Sequence, residues 1–394
     1  MFQDLPPRAP DGIIALMQAA KADTRPDKID LGVGVYKNAE GETPIMRAVA
    51  RAQERWLGEE ETKLYMGTTG SAAFCAALLE LVLGEGHEAL GRTAASQAAG
   101  GSGALRMGAE LIKAANAGAR VWVPDPTWAN HTPLIGSTGL ELQTYPYYNR
   151  ETLGVDFEAM MEALRTKARA GDAVVLHGCC HNPTGADLSE AQWDAVAELL
   201  AERDLLPFVD LAYLGLGRGL REDAYGLLRC IETCPEVLFA VSCSKSFALY
   251  RERVGMVALA TQADRVDVVR GYFGSIQRTL ISMPPAWGAN VVGTVLGDRE
   301  LAHSWREELD GMRRRIRRLR RELSDELNVQ GGEDLARAVV DQQGMFSALP
   351  LSRDQARRLR EQSIYVTDGG RMNVAGATLD TIPRLAKALL EVRG

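Results

Sequence analysis

The chain of 394 residues is long enough for one large and one smaller domain, and its 46% apolar and 25% charged residues are ordinary for a globular protein. A formal net charge of −7 argues against general binding of nucleic acid or anionic membranes. No apolar run approaches the ~18 residues of a membrane span, and the N-terminus lacks the basic and apolar segments of a signal peptide. The spacing of the six cysteines suits neither a disulfide framework nor a zinc site, so we expect reduced thiols in a cytoplasmic protein.

The middle of the chain alternates short apolar runs with amphipathic segments. The runs lie at 119–124, 140–145, 173–178, 205–210, 237–242 and 254–260. Most are rich in valine and leucine without polar alternation, which is typical of strands buried on both faces. Helical patterns such as 189–204 separate them. This order predicts a mostly parallel sheet that is covered by helices on both sides.

A long helix is predicted over 299–328, because apolar side chains recur there every three or four residues. The stripe consists of Trp305, Leu309, Met312, Ile316, Leu319, Leu323 and Leu327. The arginines of the run 313–323 fall mostly off this stripe, which favours a solvated helix face over a nucleic-acid patch. Short strands and helices follow. We predict a large domain over 46–305 and a smaller α/β domain made of 1–45 and 306–394.

Polar side chains follow several of the predicted strands. Asn182, Asp210 and Lys245 each come at or just after a run, and Tyr213 lies three residues beyond the aspartate. In open α/β sheets, ligands bind outside the carboxyl ends of the strands, so these groups are expected to meet in one cleft. A carboxylate that closes an apolar run is costly unless it meets a cation or a strong donor. Trp128, which follows another run, offers a face for a flat ligand, although a core tryptophan is the simpler interpretation.

The sequence GGSG at 100–103 opens a strong helical pattern. A helix N-terminus with bare backbone N–H groups is a phosphate site, although this stretch is neither a dinucleotide fingerprint nor a P-loop. Taken singly, each of these features has a structural explanation. Together they match the needs of pyridoxal phosphate: a helix end for the phosphate, an aromatic plate, a carboxylate for the ring nitrogen and a lysine for a Schiff base.

The motifs YMG, GGSGALR, DPTWANH, CCHNPTGA, DLAY, SCSK, YRERVG and GRMNVAG occur in this order within residues 29–376. By these motifs the chain resembles the class I aminotransferases, of the fold-type I pyridoxal-phosphate enzymes, and within them the bacterial aspartate and aromatic amino-acid aminotransferases. The resemblance implies a large domain with a mostly parallel seven-stranded sheet between helices, a smaller α/β domain, and a homodimer whose active sites lie at the subunit interface.

The resemblance also implies roles for the residues at the strand ends. Lys245 would form the Schiff base with the cofactor, and Asp210 would pair with the pyridine nitrogen. Tyr213 and Asn182 would bind the oxygen of the ring hydroxyl, while Trp128 would stack on the ring. The catalytic residues would be Lys245, Asp210 and Tyr213.

Further implied roles concern the phosphate and the substrate. The phosphate would be held by Gly101, Ser102, Ser242, Ser244, Arg253 and by Tyr65 of the partner subunit. Arg371 would bind the substrate α-carboxylate as a bidentate fork, together with Trp128 and Asn182, and Gly34 would lie over the substrate. Arg278 of the partner subunit would read a second carboxylate, and His131 would support Asp210.

The implied reaction is a ping-pong transamination in which Lys245 moves a proton from the substrate α-carbon to the cofactor. Leu64 and Ser102 resemble the aromatic-active members, whereas Val35 and Lys37 resemble the strict aspartate enzymes. We therefore expect a broad enzyme that handles tyrosine, phenylalanine, aspartate and glutamate with 2-oxoglutarate or oxaloacetate. A strict aspartate aminotransferase is the alternative. A pyridoxal-phosphate lyase or decarboxylase, and a non-catalytic regulator domain, are weaker ones.

The chain departs from the family pattern at five positions. Ser246 and Ala248 stand where the family usually has asparagine and glycine, and Gly100 stands where many members have serine. Leu214 and Met283 replace polar residues and make their surroundings more apolar, which mildly favours aromatic substrates.

Overall fold

The computed structural model describes residues 2–7 and 12–393, so residues 1, 8–11 and 394 of the predicted small domain lie outside the described ranges. The strands are β1 (Ile29–Asp30), β2 (Thr93–Ala99), β3 (Arg120–Asp125), β4 (Glu141–Pro146), β5 (Tyr148–Asn149), β6 (Gly154–Val155), β7 (Ala173–His177), β8 (Leu206–Leu211), β9 (Val237–Ser242), β10 (Val254–Ala260), β11 (Phe346–Ala348), β12 (Ile364–Tyr365) and β13 (Arg371–Asn373). The α-helices are α1 (Gly12–Ala22), α2 (Arg47–Glu59), α3 (Ala72–Leu83), α4 (Gly100–Ala115), α5 (His131–Gly136), α6 (Phe157–Lys167), α7 (Glu190–Glu202), α8 (Leu220–Asp223), α9 (Tyr225–Thr233), α10 (Cys243–Ser246), α11 (Val266–Leu280), α12 (Ala286–Gly297), α13 (Arg299–Val329), α14 (Glu333–Asp341), α15 (Arg353–Glu361) and α16 (Ile382–Glu391).

Seven strands form the central sheet, in the order β2-β10-β9-β8-β7-β3-β4. Within it, β10 runs antiparallel to both of its neighbours, and the other pairings are parallel. This confirms the predicted α/β fold with a mostly parallel seven-stranded sheet. The six apolar runs correspond to β3, β4 and β7 to β10. The strand that composition does not reveal is β2, whose sequence TAASQAA is short of β-branched and aromatic residues and which pairs with β10 over seven positions.

Both faces of the sheet are buried, because successive side chains of a strand point to opposite sides. In β8, Phe208 packs in the apolar cluster that includes residues of α4, whereas Val209 and Leu211 belong to the cluster on the other face. The helix α4 approaches the sheet closely at Gly108, where an added Cβ would lie 2.5 Å from the Phe208 ring. This close approach fixes α4 over the sheet, with its N-terminus at the end of β2.

The long helix α13 begins where the Asp298 side chain accepts hydrogen bonds from the backbone N–H groups of Glu300 and Leu301, at 2.9 and 3.0 Å. Its bounds are within one residue of the predicted helix, and all seven residues of the predicted stripe are buried. Trp305, Leu309, Met312 and Ile316 pack in the main core, whereas Leu319, Leu323 and Leu327 pack in a second core.

The second core joins the N-terminal segment to the C-terminal part of the chain. It includes Ile29 of β1 and Ile364 of β12, which pair in parallel. Because α13 passes residue 305 without a break and serves both cores, no interruption marks the predicted boundary. The division into domains therefore stays a prediction.

No helix within the described ranges is long and apolar enough to cross a bilayer. All six cysteines are buried free thiols.

Candidate active site

A cavity of about 260 Å³ opens at one edge of the central sheet. The carboxyl ends of β7, β8 and β9 meet there, with His177 opposite Asp210 and Ser242 opposite Gly255. The structure brings eleven of the predicted residues together in the wall of this cavity: Gly34, Gly101, Ser102, Trp128, Asn182, Asp210, Tyr213, Ser242, Ser244, Lys245 and Arg253.

Lys245 reaches the cavity from a tight turn at the end of β9. The Ser242 hydroxyl accepts the backbone N–H of Ser244 at 3.2 Å and thereby caps the short helix α10. This turn places Lys245 Nζ 4.8 Å from the centre of the Tyr213 ring. Burial lowers the pKa of Lys245 to about 8, although the Asp210 carboxylate opposes this shift. The amine is therefore much more often neutral near pH 7 than an exposed lysine, as a nucleophile or base requires.

Asp210 lines the cavity, and its two carboxylate oxygens differ in their hydrogen bonds. The side chain is buried at the end of β8, and Oδ2 bonds His131 Nε2 at 3.2 Å. Burial alone would raise the pKa of Asp210, but the hydrogen bond from His131 and the charge of Lys245 hold it below its ordinary value. The buried Oδ1 has no hydrogen-bond partner among the described residues. An ionised oxygen in this state fits the protonated ring nitrogen of pyridoxal phosphate.

A chain of hydrogen bonds links His131 to Asp210, Thr127 and His177. In the tautomer whose Nε2 donates to the Asp210 carboxylate, Nδ1 of His131 accepts from the Thr127 hydroxyl at 2.7 Å. The same hydroxyl then accepts from His177 Nε2 at 3.2 Å, and His177 Nδ1 accepts the Asn182 backbone N–H at 3.5 Å. Burial also holds the pKa of His177 well below its usual range. Each donor in the chain thus has one acceptor, and the proton faces Asp210.

A second part of the cavity is shaped for an anion. The helix α4 starts directly after β2, and Gly100 has a φ of +70°, where an added Cβ would lie 2.5 Å from a guanidinium nitrogen of Arg253. An added Cβ on Gly101 would lie 3.1 Å from Cβ of Ser242, and Arg253 Nη1 donates to the Ser244 hydroxyl at 3.3 Å. A helix N-terminus, two serines and a guanidinium thus surround a space that the glycines keep open, which fits a phosphate group.

Arg371 lies at the border of this cavity. It stands in β13, which pairs with β11, and its guanidinium lies 4.7 Å from the centre of the Phe346 ring. It donates to the Gly32 carbonyl at 2.8 Å and to Asn182 Oδ1 at 3.4 Å, while Asn182 Nδ2 donates to the Tyr213 hydroxyl at 3.3 Å. Arg371 also lines a second cavity, of about 290 Å³, which Trp128 and Asn182 share. The two cavities are therefore neighbours. Arg371 lines the second cavity and contacts Asn182, which lines both.

Tyr65 and Arg278 do not line the cavity of their own chain. Tyr65 is 90% exposed, and Arg278 donates to the Ser282 hydroxyl at 2.6 Å beside a separate shallow groove. The family resemblance implies that both residues belong to the site of a partner subunit, and this stays a prediction.

The cavity wall also includes residues that the sequence analysis did not select: Leu105, His177, Ala212 and Tyr250. The Tyr250 hydroxyl accepts the backbone N–H of Tyr36 at 2.8 Å and so ties the N-terminal segment to the site. The position of Tyr250, five residues after Lys245, could have indicated that it lies at the site. His177 could not be recognised in this way, because it ends an apolar run that predicts only a buried strand.

Comparison with known proteins agrees with this geometry. The model of the family "Aminotransferase class I and II" matches residues 26–389. The chain is 47% identical to the aromatic-amino-acid aminotransferase of Paracoccus denitrificans and 41% identical to the aspartate aminotransferase of Salmonella typhi, and each alignment covers 100% of both proteins. It superposes with a TM-score of 0.96, at 39% identity, on a solved aromatic-amino-acid aminotransferase from Burkholderia pseudomallei covalently bound to pyridoxal phosphate, covering 100% of this chain and 99% of that one. The chain therefore belongs to the class I and II aminotransferases and is an amino-group transferase whose cofactor is pyridoxal phosphate.

Proposed function

We propose that this enzyme moves amino groups between aromatic or dicarboxylic amino acids and 2-oxoglutarate or oxaloacetate by a ping-pong mechanism in the cytoplasm. The observation that carries the proposal is the convergence of Lys245, with its lowered pKa, and of the partnerless Asp210 Oδ1 at one cavity that borders Arg371. A lysine amine, an ionised carboxylate and a carboxylate-binding fork are the three groups that such chemistry requires of the protein.

The residues divide the work as follows. When bound, pyridoxal phosphate supplies an aldehyde that takes up the amino group and a ring that withdraws electrons from the substrate α-carbon. Lys245 would hold the cofactor covalently at rest and, once displaced by the substrate amine, would move the α-proton as base and then acid. Asp210 would keep a proton on the ring nitrogen through Oδ1. Tyr213, whose pKa burial raises, keeps its own proton and would donate it in a hydrogen bond to the ring oxygen beside Asn182.

The substrate range follows from charge and apolar surface together. Arg371 would take the α-carboxylate in a bidentate fork, and its contacts with Gly32 and Asn182 orient that fork. The aromatic face of Trp128 and the apolar Leu105 would accept flat side chains. The relatives named as aromatic-amino-acid aminotransferase and aspartate aminotransferase support both classes of substrate. A strict aspartate aminotransferase remains the second candidate, which Val35 and Lys37 favour.

The proposal includes a homodimer. Tyr65 of the partner subunit would contact the phosphate, and Arg278 of the partner subunit would bind the distal carboxylate of dicarboxylic substrates. The exposure of Tyr65, and the position of Arg278 at a separate groove and not in the cavity lining of its own chain, support this arrangement. The predicted division into a large domain over 46–305 and a small domain belongs to the same proposal.

Initial rates with a panel of amino donors against 2-oxoglutarate test the proposal. We expect turnover with aspartate, glutamate, phenylalanine and tyrosine, parallel lines in double-reciprocal plots, and no multiple turnover in the folded Lys245→Ala variant. Intersecting lines would contradict the ping-pong mechanism. Absence of measurable kcat/KM for phenylalanine and tyrosine would leave the strict aspartate enzyme, and release of CO2 or ammonia would indicate a lyase or decarboxylase.

A further inference from the structure

The helix α13 carries a cluster of arginines on a chain whose net charge is −7. Arg314, Arg317, Arg318 and Arg321 are exposed, and each lies three or four residues from at least two of the others, so they share one face of the helix. Like charges spaced i,i+4, as in Arg314 with Arg318 and Arg317 with Arg321, destabilise an isolated helix. This helix face is therefore positively charged, although the chain as a whole carries a net negative charge.

Local carboxylates neutralise only part of this charge. Arg314 pairs with Asp310 at 3.7 Å, and Arg318 pairs with Glu322 at 3.4 Å. Within the part of the chain that the structure describes, neither Arg317 nor Arg321 has an ion pair. These two guanidinium groups are therefore available to an anion from solution.

A buried guanidinium lies behind the exposed face. Arg320 is 3% exposed and donates to the carbonyl oxygens of Val339, Gly344 and Phe346 and to the Ser347 hydroxyl. Its hydrogen bonds, as far as the described residues go, include no carboxylate. Asp187 attracts this guanidinium electrostatically, but no carboxylate of the described residues is hydrogen-bonded to it, so Arg320 enters the lining of the same surface cavity as a cation.

These arginines meet at an open cavity of about 520 Å³, the arginine cavity, which is bounded by α13 and the segment 342–344. Five guanidinium side chains line it: Arg314, Arg317, Arg318, Arg320 and Arg321. No aspartate or glutamate is among the described residues of its lining. The cavity is distinct from the aminotransferase site, because the two share no lining residue.

We propose that the arginine cavity binds a small anion with several linked phosphate groups, of the polyphosphate or nucleoside triphosphate class. Guanidinium forks match phosphate oxygens bidentately, and linked phosphates present several such edges in a row. The seven helical steps from Arg314 to Arg321 span about 10 Å, the length of a short phosphate chain rather than of a nucleic-acid duplex. The acidic remainder of the chain also disfavours a long polyanion.

Calorimetric titration of the pyridoxal-phosphate-loaded enzyme tests the proposal, because the loaded active site no longer offers its own phosphate cradle. At about 0.15 M ionic strength, where exposed charges are screened beyond ~8 Å, we expect inorganic tripolyphosphate to bind one site per chain. A parallel titration with ATP distinguishes a polyphosphate ligand from a nucleoside triphosphate. Equal affinities mean that the phosphates alone are recognised, whereas tighter binding of ATP assigns a nucleotide.

A matched pair of variants locates the site. The double variant R317Q/R321Q should weaken tripolyphosphate binding at least tenfold. The double variant R299Q/R306Q removes two exposed arginines of the same helix that lie outside the cavity. It should change the affinity for tripolyphosphate less than twofold. Because R317Q/R321Q also removes a like-charge pair, its Tm without ligand should equal or exceed that of the wild type. Tripolyphosphate should raise the Tm of the wild type and of R299Q/R306Q but not that of R317Q/R321Q.

Several outcomes would overturn the proposal. The first is no binding of tripolyphosphate at this ionic strength, and the second is an equal loss of affinity in the two double variants. The third is that a 20-nucleotide single strand binds more tightly than tripolyphosphate and that R317Q/R321Q loses this binding, which would assign a nucleic-acid surface instead. Transamination rates of the same variants report the active site separately. Failure of the anion site therefore leaves the aminotransferase proposal untouched.

Discussion

Lys245 contributes to stability in a way that depends on pH. Burial lowers its pKa from 10.5 to about 8 in the folded chain, so the folded state releases this proton at lower pH than the unfolded state. Between these two pH values the unfolded chain binds more protons, and the free energy of unfolding therefore rises with pH. Below pH 8 the folded chain carries the full cost of this desolvated charge, on the order of 3 kcal/mol.

We therefore predict that Lys245→Met stabilises the cofactor-free enzyme at pH 7 by about that amount, and that its advantage shrinks as the pH rises from 8 to above 10. Denaturant unfolding of the two cofactor-free proteins at pH 7, 8.5 and 10 measures this difference. A difference that stays constant over this range would mean that the amine is not the source.

Ala248 adopts a backbone conformation that favours glycine. Its φ is +55°, in the left-handed region, at one of the positions where the chain departs from its family. A side chain in this region costs roughly 1 kcal/mol, so Ala248→Gly should raise the free energy of unfolding by up to about 1 kcal/mol. Ala195→Gly, at a similarly half-buried position inside α7, should lower it by about 1 kcal/mol. Equal signs for the two substitutions would contradict this explanation.

Individual residues of the site differ in how well the sequence predicts them. Asn182, Asp210, Tyr213 and Lys245 were predictable because each follows a strand in a fold whose ligands bind at strand ends. The hydrogen-bond chain through Thr127 was not, because its members come from separate segments and only the fold brings them into contact.

At the scale of elements, the space that fits the cofactor phosphate depends on the junction of β2 and α4. Gly100 has a φ of +70° there, and in this chain an added Cβ would lie 2.5 Å from a guanidinium nitrogen of Arg253. We predict that Gly100→Ala weakens pyridoxal phosphate binding at least tenfold, since Arg253 must move and the first turn of α4 must distort. Equilibrium titration of the cofactor-free enzyme, followed by cofactor absorbance, measures the loss.

Gly311→Ala serves as the control for this prediction. Gly311 lies inside α13 with no atom within 4 Å of an added Cβ. The substitution should leave cofactor affinity unchanged and raise the free energy of unfolding by about 0.5–1 kcal/mol, because alanine loses less backbone entropy in a helix. Equal effects of the two substitutions on cofactor affinity would contradict a specific role of the β2–α4 junction.

The elements were predictable where their pattern is long or strongly apolar. The helix α13 has 31 residues with a continuous stripe, and its bounds were found within one residue. The strand β2 was missed because its alanines and serines carry no strand preference of their own. Its position is set by pairing with β10, which a local pattern does not contain.

At the scale of the whole molecule, the proposed recognition of dicarboxylic substrates depends on a second chain. Arg371 supplies one carboxylate-binding fork at the cavity, whereas Arg278 lies elsewhere on the same chain. A second chain is the proposed source of the other fork, and local sequence does not reveal such an arrangement because it depends on how two copies assemble.

Subunit mixing tests this arrangement. We predict that Lys245→Ala and Arg278→Asp are each nearly inactive with aspartate, and that an equal mixture allowed to exchange subunits recovers up to about a quarter of the wild-type rate, since half of the dimers are mixed and each has one intact site. A mixture of Lys245→Ala with Asp210→Ala should recover nothing, because both residues belong to the same chain's cavity. If the first mixture also stayed inactive although sedimentation showed exchanged dimers, Arg278 would not act across the interface, and recognition of the second carboxylate would have to come from the cavity's own chain.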